Sequence, residues 1–285
     1  MAIKKVGVVG AGLMGSGIAQ TAAQAGYETL ITDVTQDFLD RGLGRIHGAW
    51  ATMQTKGKLS EEQVATNKAR LHATLDMQDY ADCDIVIEVI IEQKEQKVAL
   101  FRQLDALLPP EALLVSNTSS LPITEMAAVT KRADKVAGLH FFNPVPVMKL
   151  VEIVRTVETS DATVAALQTF VGSLGKTAII AKDTAGFVVN FLLIPYLLSA
   201  IRMFEQGTAT KEDIDAAMQL GTGYPMGPFT LLDYVGLDTT LYAAEAIYAE
   251  NPDPANSPPT LLRRMVALGR MGRKSGRGFY DYTDH

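Results

Sequence analysis

The sequence predicts an α/β fold: a doubly wound, mostly parallel sheet followed by an all-helical C-terminal domain. Apolar runs of strand length alternate with helical stretches up to about residue 183, and such alternation is typical of a parallel sheet. From about residue 185 the whole pattern is helical. We therefore predict a domain boundary in residues 183–186 (DTAG), with domains at 1–184 and 185–285.

The first strand, residues 3–9, runs into a glycine loop and a helix (GAGLMGSGIAQ). Gly10, Gly12 and Gly15 form G-x-G-x-x-G, in which the glycines permit a tight turn, close approach of a pyrophosphate and close packing of helix on strand. With Leu13 and Met14, they are predicted cofactor-binding residues of a Rossmann-like domain. The alternative is a glycine turn without a ligand.

The second strand, residues 27–33, ends in Asp33. An acid at this point accepts hydrogen bonds from the adenosine ribose and repels a 2′-phosphate. No arginine follows closely in DVTQDF. We therefore predict NAD as the cofactor in preference to NADP.

A long helical excursion, residues 35–70, follows the second strand and exceeds an ordinary crossover. Its second helix is predicted to begin at Ser60, because Gln63 completes a capping box. The remaining elements of the domain are predicted strands at 69–75, 84–90, 112–117, 136–142, 149–155 and 177–183, with helices at 94–108 and 161–175. In the C-terminal domain a helix is predicted to start at Thr210, with stops at Gly207 and Gly221.

The stretch GLHFFNPVPVMKLVEIV, residues 138–154, places His140 and Glu152 among apolar neighbours. Both flanks have the continuous apolar pattern of buried strands, and the prolines break the chain between them. A buried carboxylate needs a partner, and the imidazole is the nearest candidate. The alternative is a core histidine with an unrelated, exposed glutamate.

Composition excludes several classes of protein. A hydrophobic content of 47% and a charged content of 20% are those of an ordinary soluble globular protein. The net charge of −6 argues against nucleic-acid binding. Cys83 lies alone in an apolar run, which predicts a buried structural thiol, and four scattered histidines offer no metal-ligand spacing.

The most apolar segment, residues 187–204, is interrupted by Asn190, Pro195 and Arg202. It predicts a buried helix and no membrane span. A strand that begins at about residue 3 leaves no room for a signal peptide. The expected location is the cytoplasm.

Several longer motifs identify a resemblance that covers the whole chain: GAGLMGSGIA, SNTSSL, GLHFFNPVPVMKLVEIV, KDTAGFVVN, GYPMGPFTLLDYVGLD and GRKSGRGFYDY. With them the chain resembles the L-3-hydroxyacyl-CoA dehydrogenase family, and most closely its stand-alone bacterial 3-hydroxybutyryl-CoA dehydrogenases. The resemblance implies NAD-dependent oxidation of an (S)-3-hydroxyacyl-CoA to the 3-ketoacyl-CoA, a place in fatty acid metabolism, and a homodimer.

The same resemblance implies roles for individual residues. His140 matches the general base, Glu152 the carboxylate that holds it, and Ser119 and Asn190 the residues that bind the reacting oxygens of the substrate. Further cofactor contacts are implied for Glu92, Lys97 and Asn143. For Ser119 the alternative is a turn or cap, and for Asn190 a contact between helices.

Acyl-CoA is the implied substrate, and in the family the helical excursion reaches over it. Lys56 and Lys58 are the candidate partners of its phosphates, although a solvated loop with two lysines is the alternative. Two rival functions stay open at this point: a dehydrogenase of a free hydroxy acid of the sugar-acid type, and a crystallin-like protein without activity. Intact Ser119, His140, Glu152 and Asn190 argue against the second rival.

Overall fold

The computed structural model describes residues 3–283, which form two compact units that divide between Asp183 and Thr184. The division falls inside the 183–186 stretch. In the first unit β-strands and α-helices alternate, and the second unit is helical, so the predicted fold class is confirmed. Within residues 3–283 there is no helix with the length and apolar character needed to span a bilayer.

The first unit is built on one eight-stranded sheet of order β3-β2-β1-β4-β5-β6-β7-β8. All neighbouring strands pair in parallel except β6 and β7, which are antiparallel. The strands are β1 (Lys5–Val9), β2 (Glu28–Thr32), β3 (Leu71–Ala73), β4 (Ile85–Glu88), β5 (Leu113–Ser116), β6 (Val136–Phe141), β7 (Leu150–Arg155) and β8 (Thr177–Lys182).

Six helices connect these strands: α1 (Leu13–Gln24), α2 (Gln36–Thr55), α3 (Glu61–Ala69), α4 (Lys94–Leu107), α5 (Ile123–Ala127) and α6 (Asp161–Ser173). The helical excursion consists of α2 and α3, and the predicted capping box at Ser60 and Gln63 is present. Thr35 caps α2 by accepting from the backbone N–H of Phe38. These caps satisfy N–H groups that a helix start leaves without partners.

The order of the sheet reverses at β1, because β2 lies on one side of it and β4 on the other. In open α/β sheets the carboxyl ends of the strands at such a reversal form the crevice that binds ligands. The loops that leave β1 and β4 lie at that crevice: the glycine loop and residues 89–93.

The second unit, as described to residue 283, contains five α-helices: α7 (Val189–Glu205), α8 (Lys211–Thr222), α9 (Pro228–Val235), α10 (Leu237–Glu250) and α11 (Thr260–Ala267). Their core includes Ile194, Leu198, Phe229 and Leu232. The predicted cap at Thr210 is confirmed.

The predicted helix stop at Gly221 is wrong, because α8 continues through it to Thr222 and is capped by Gly223. Gly223 has a φ of 75°, a left-handed conformation that suits glycine at a helix end. Two glycines stand two residues apart here, and only the backbone conformation shows which of them ends the helix.

Candidate active site

The glycine loop has the geometry that a dinucleotide pyrophosphate requires. Gly10 has a φ of 112°, and a Cβ there would lie 2.4 Å from the carbonyl oxygen of Val89. A Cβ on Gly15 would lie 1.8 Å from the carbonyl oxygen of Gly10, so helix and loop are in backbone contact. A Cβ on Gly12 would meet nothing within 4 Å, so space is open in front of the loop. No side chain caps α1, which leaves its first N–H groups for an anion.

Asp33 stands directly after β2, beside the glycine loop. Its Oδ2 accepts from the backbone N–H of Ala11 at 2.7 Å, and its Oδ1 accepts from that of Val34 at 2.7 Å. The carboxylate therefore fixes the glycine loop as well as lying at the predicted ribose position. Each carboxylate oxygen has a second lone pair that can accept from a hydroxyl. The residues at this end of the sheet fit NAD.

A buried ion pair lies at the end of β4. Lys97, from α4, donates to Glu88 Oε1 at 2.6 Å, and both side chains are almost inaccessible, at 1% and 0% exposure. Glu88 also accepts from Ser116 Oγ at 2.5 Å and from the backbone N–H of Ile90 at 2.7 Å. The pair thereby ties together the ends of β4 and β5 and the start of the loop between β4 and α4.

Glu92 links this ion pair to the segment that carries Ser119. Its Oε2 lies 3.1 Å from the ammonium of Lys97, and its Oε1 accepts from the hydroxyls of Thr118 and Ser120. Oε1 also lies 3.3 Å from the backbone nitrogen of Ser119, which donates to it. The structure thus brings Glu92, Lys97 and Ser119 into one network. A direct contact of Lys97 with a cofactor stays a prediction, and its observed role is to hold Glu92.

His140 and Glu152 face each other across the antiparallel pair β6 and β7. His140 Nδ1 lies 2.7 Å from Glu152 Oε2, and Glu152 is fully buried. The ring of Phe142 packs on the imidazole with its centroid 4.5 Å away. The alternative of an unrelated, exposed glutamate is therefore wrong, because the register of the two strands places the carboxylate beside the imidazole in the core.

Asn117 supports the histidine from the neighbouring strand. Its Oδ1 accepts from the backbone N–H of Phe141 at 2.9 Å, directly after His140, and its own N–H donates to the carbonyl of Glu88. The backbone of β6 is thereby held at the residue after the imidazole. Asn143, two residues further on, is exposed.

The other predicted residues lie in separate places. Lys56 and Lys58 are exposed at the end of α2, and Asn190 lies in the first turn of α7, in the second unit. Their contacts with a substrate stay predictions. Just before Asn190, Phe187 has a φ of 50°, which is uncommon for a bulky side chain.

Cys83 is buried, as predicted, and burial raises the pKa of its thiol to about 12, which keeps it protonated at neutral pH. Within residues 3–283 no group of three histidine, cysteine or acidic side chains is placed to hold a metal ion.

Two supporting residues, Glu88 and Asn117, were not among the predicted site residues. Glu88 had a usable signal, since a carboxylate at the end of the apolar run DIVIE must find a partner. Asn117 had none, because its bond to the backbone of β6 depends on how the two strands pair.

Two family models together match almost the whole chain. Residues 5–184 match the model of the 3-hydroxyacyl-CoA dehydrogenase NAD binding domain, and residues 186–282 match that of the 3-hydroxyacyl-CoA dehydrogenase C-terminal domain. A probable 3-hydroxybutyryl-CoA dehydrogenase of Deinococcus radiodurans is 47% identical over 98% of this chain and 100% of that protein.

Two solved structures extend the likeness to the fold. The crystal structure of FadB2 of Mycobacterium tuberculosis is 47% identical, with a TM-score of 0.97 over 99% of this chain and 100% of that chain. That of (S)-3-hydroxybutyryl-CoA dehydrogenase PaaH1 from Ralstonia eutropha is 43% identical, with a TM-score of 0.95 over 99% of each chain. The chain belongs to the 3-hydroxyacyl-CoA dehydrogenase family.

Proposed function

We propose that this chain oxidises (S)-3-hydroxybutyryl-CoA, or a short-chain homologue, to the 3-ketoacyl-CoA, with His140 as the general base. As a member of its family the chain is an NAD-dependent oxidoreductase. The buried contact of 2.7 Å between His140 Nδ1 and Glu152 Oε2 is the observation that carries the proposed mechanism.

The carboxylate determines what the imidazole can do. When Nδ1–H donates to Glu152, the tautomer and the orientation of the ring are fixed, so we assign the proton transfer to Nε2. As Nε2 takes the proton of the substrate hydroxyl, the ring becomes an imidazolium, which the adjacent carboxylate stabilises. The burial of Glu152 excludes water from this contact and makes the stabilisation stronger than it would be in solvent.

NAD supplies the acceptor for the hydride that leaves C3 of the substrate. Gly10, Gly12 and Gly15, with Leu13 and Met14, would hold its pyrophosphate at the start of α1, and Asp33 would bind its ribose. Glu92 and Asn143 are the proposed contacts nearer the nicotinamide. The open space before Gly12 and the uncapped start of α1 support this assignment.

For the substrate, we propose that Ser119 and Asn190 donate to its reacting oxygen atoms and that Lys56 and Lys58 bind phosphates of CoA. The network around Glu92 supports the role of Ser119, because it fixes the backbone at that residue. The exposure of Lys56 and Lys58 on the helical excursion leaves both ammonium groups accessible to an anion.

A homodimer in the cytoplasm is the proposed state of the protein. The apolar stretches on α7 and α9 leave several side chains exposed in the second unit: Phe191, Leu192, Tyr234 and Val235. Exposed apolar surface of this kind marks protein interfaces. We propose that a second copy of the chain covers it.

Steady-state oxidation of NADH tests the proposed reaction. With acetoacetyl-CoA we expect kcat/KM to exceed that with free acetoacetate by about 100-fold or more, because binding of the remote CoA contributes to catalysis. The same assay with longer 3-ketoacyl-CoA substrates gives the preferred acyl chain length. NADPH should be used at least about tenfold less well than NADH, since Asp33 repels the 2′-phosphate. A preference for acetoacetate, or no turnover of either substrate, would contradict the proposal.

A further inference from the structure

The loop between β6 and β7, residues 142–149, joins the strand of His140 to the strand of Glu152. Its internal backbone hydrogen bonds run from the N–H groups of Val147 and Met148 to the carbonyl of Pro144. Pro144 and Pro146 have no N–H to donate. Groups outside the loop therefore contribute much of what fixes its position.

One of these groups is the ammonium of Lys176, which lies between α6 and β8. Its Nζ donates to the carbonyl of Val145 at 2.5 Å and to that of Met148 at 2.7 Å. Only 9% of Lys176 is exposed, and burial together with the nearby Lys149 lowers the pKa of its ammonium. A buried cation whose partners are carbonyls is costly to desolvate. Such a group stabilises one particular arrangement of the carbonyls around it.

The loop also packs on α1, the helix that follows the glycine loop. Val145 is buried there, and a Cβ on Gly17 of α1 would lie 2.9 Å from the Cβ of Val145 and 3.5 Å from Cδ of Pro146. Because Gly17 has no side chain, the loop can pack directly against the surface of α1. The loop therefore contacts both the ammonium of Lys176 and helix α1.

We propose that Lys176 is a positioning residue for the dinucleotide site. Its ammonium holds the β6–β7 loop against α1, which sets Asn143 and the ends of the His140 and Glu152 strands relative to the glycine loop. The roles of Asn143 and His140 in this statement rest on the proposed function. The hydrogen bonds from Lys176 to the loop are observed in the structure and do not depend on the proposed function.

Binding of NADH, followed by its fluorescence, separates this role from a merely structural one. Lys176→Met keeps the length and apolar stem of the side chain but removes the donor, so the loop loses its hold. We expect the Kd for NADH to rise about tenfold, because the site is no longer preorganised, and kcat with acetoacetyl-CoA to fall as well. Lys176→Arg, which keeps a cationic donor, should recover most of the affinity.

Lys149→Met is the matched control, since Lys149 is an exposed lysine at the end of the same loop. It should leave the Kd for NADH within about twofold of the unmutated value. A Lys176→Met protein that unfolds more easily but binds NADH and turns over as before would overturn the proposal. If that variant does not fold, Lys176→Gln carries the same test: a raised Kd supports the proposal and an unchanged Kd overturns it.

The two proposals fail in different ways. An unmutated protein that binds NADH but leaves acetoacetyl-CoA unreduced would refute the proposed reaction, while the Kd values of the Lys176 variants would still decide the inference. If the unmutated protein reduces acetoacetyl-CoA but the Lys176 variants bind NADH with an unchanged Kd, only the inference about Lys176 is refuted.

Discussion

At the scale of single residues, the first unit buries two carboxylates completely, Glu152 within β7 and Glu88 at the end of β4, and each has a specific partner. Glu152 faces an imidazole and Glu88 faces an ammonium. The two pairs serve different ends: the imidazole can exchange a proton with a substrate, whereas Lys97 is enclosed by Glu88, Glu92 and a backbone carbonyl. The His140–Glu152 pair is therefore suited to proton transfer, whereas the Lys97–Glu88 pair is suited to supporting the segment around Ser119.

Lys97→Met tests the supporting pair, because it leaves Glu88 buried without its cation. We expect the free energy of unfolding to fall by about 3–5 kcal/mol, as for other buried pairs that lose one partner. Urea denaturation measures it.

Lys94→Met is the control in the same helix. Lys94 pairs with Glu125 at the surface, where solvent screens the interaction, so its loss should destabilise the protein much less than the loss of Lys97. Equal losses in the two variants would contradict the distinction between the buried and the exposed pair.

At the scale of elements, the sequence pattern located the strands and the longer helices of the first unit, but not the short helix α5. The alternation of apolar runs predicted β1 to β8, and the capping box predicted the start of α3. Partners across the sheet were harder to predict, because register depends on long-range pairing. His140 and Glu152 were an exception, since a buried carboxylate had one nearby candidate. Asn117 and Lys176 had no such local signal, as both act on backbone groups of other elements.

Helix α2 offers a test of how an element supports the cofactor loop. A Cβ on Gly42 would lie 2.6 Å from the Cβ of Ala11 and 2.7 Å from its carbonyl oxygen, so α2 touches the glycine loop there. Gly42→Ala should displace that loop and raise the Kd for NADH by about fivefold or more through lost preorganisation. Fluorescence titration with NADH measures the change.

Gly44→Ala is the matched control in the same helix, where a Cβ would meet nothing within 4 Å. Both substitutions bring the same gain in helix propensity, about 0.5–1 kcal/mol relative to glycine. The control should therefore be slightly more stable and bind NADH normally. Tighter or unchanged binding in Gly42→Ala would mean that the contact of α2 with the loop does not matter.

At the scale of the whole molecule, the family could be predicted because its motifs run from one end of the chain to the other. The fold class followed from local patterns, and relatives of the same length support it. The proposed substrate contacts of Ser119 and Asn190 could not be predicted from local patterns, and they rest on the resemblance to the family.

The proposed dimer is a prediction at this scale. Sedimentation at micromolar concentration should give twice the mass of the chain. Leu192→Glu, which puts a charge on an exposed apolar position of α7, should shift the protein toward the monomer. Val157→Glu changes an even more exposed apolar residue, in the first unit, and should leave the mass unchanged. A monomer in the unmutated protein would contradict the proposed assembly.

The joint action of His140 and Glu152 is the central claim, and a double-mutant cycle on the oxidation of 3-hydroxybutyryl-CoA tests it most directly. Glu152→Gln keeps the shape but removes the charge, so kcat should fall by about 100-fold or more, and His140→Ala should be at least as damaging. The double variant should be little worse than His140→Ala alone, because groups that act as a unit are not additive. NADH binding should stay normal in all three variants. Losses that multiply independently would show that the two residues are not a catalytic pair.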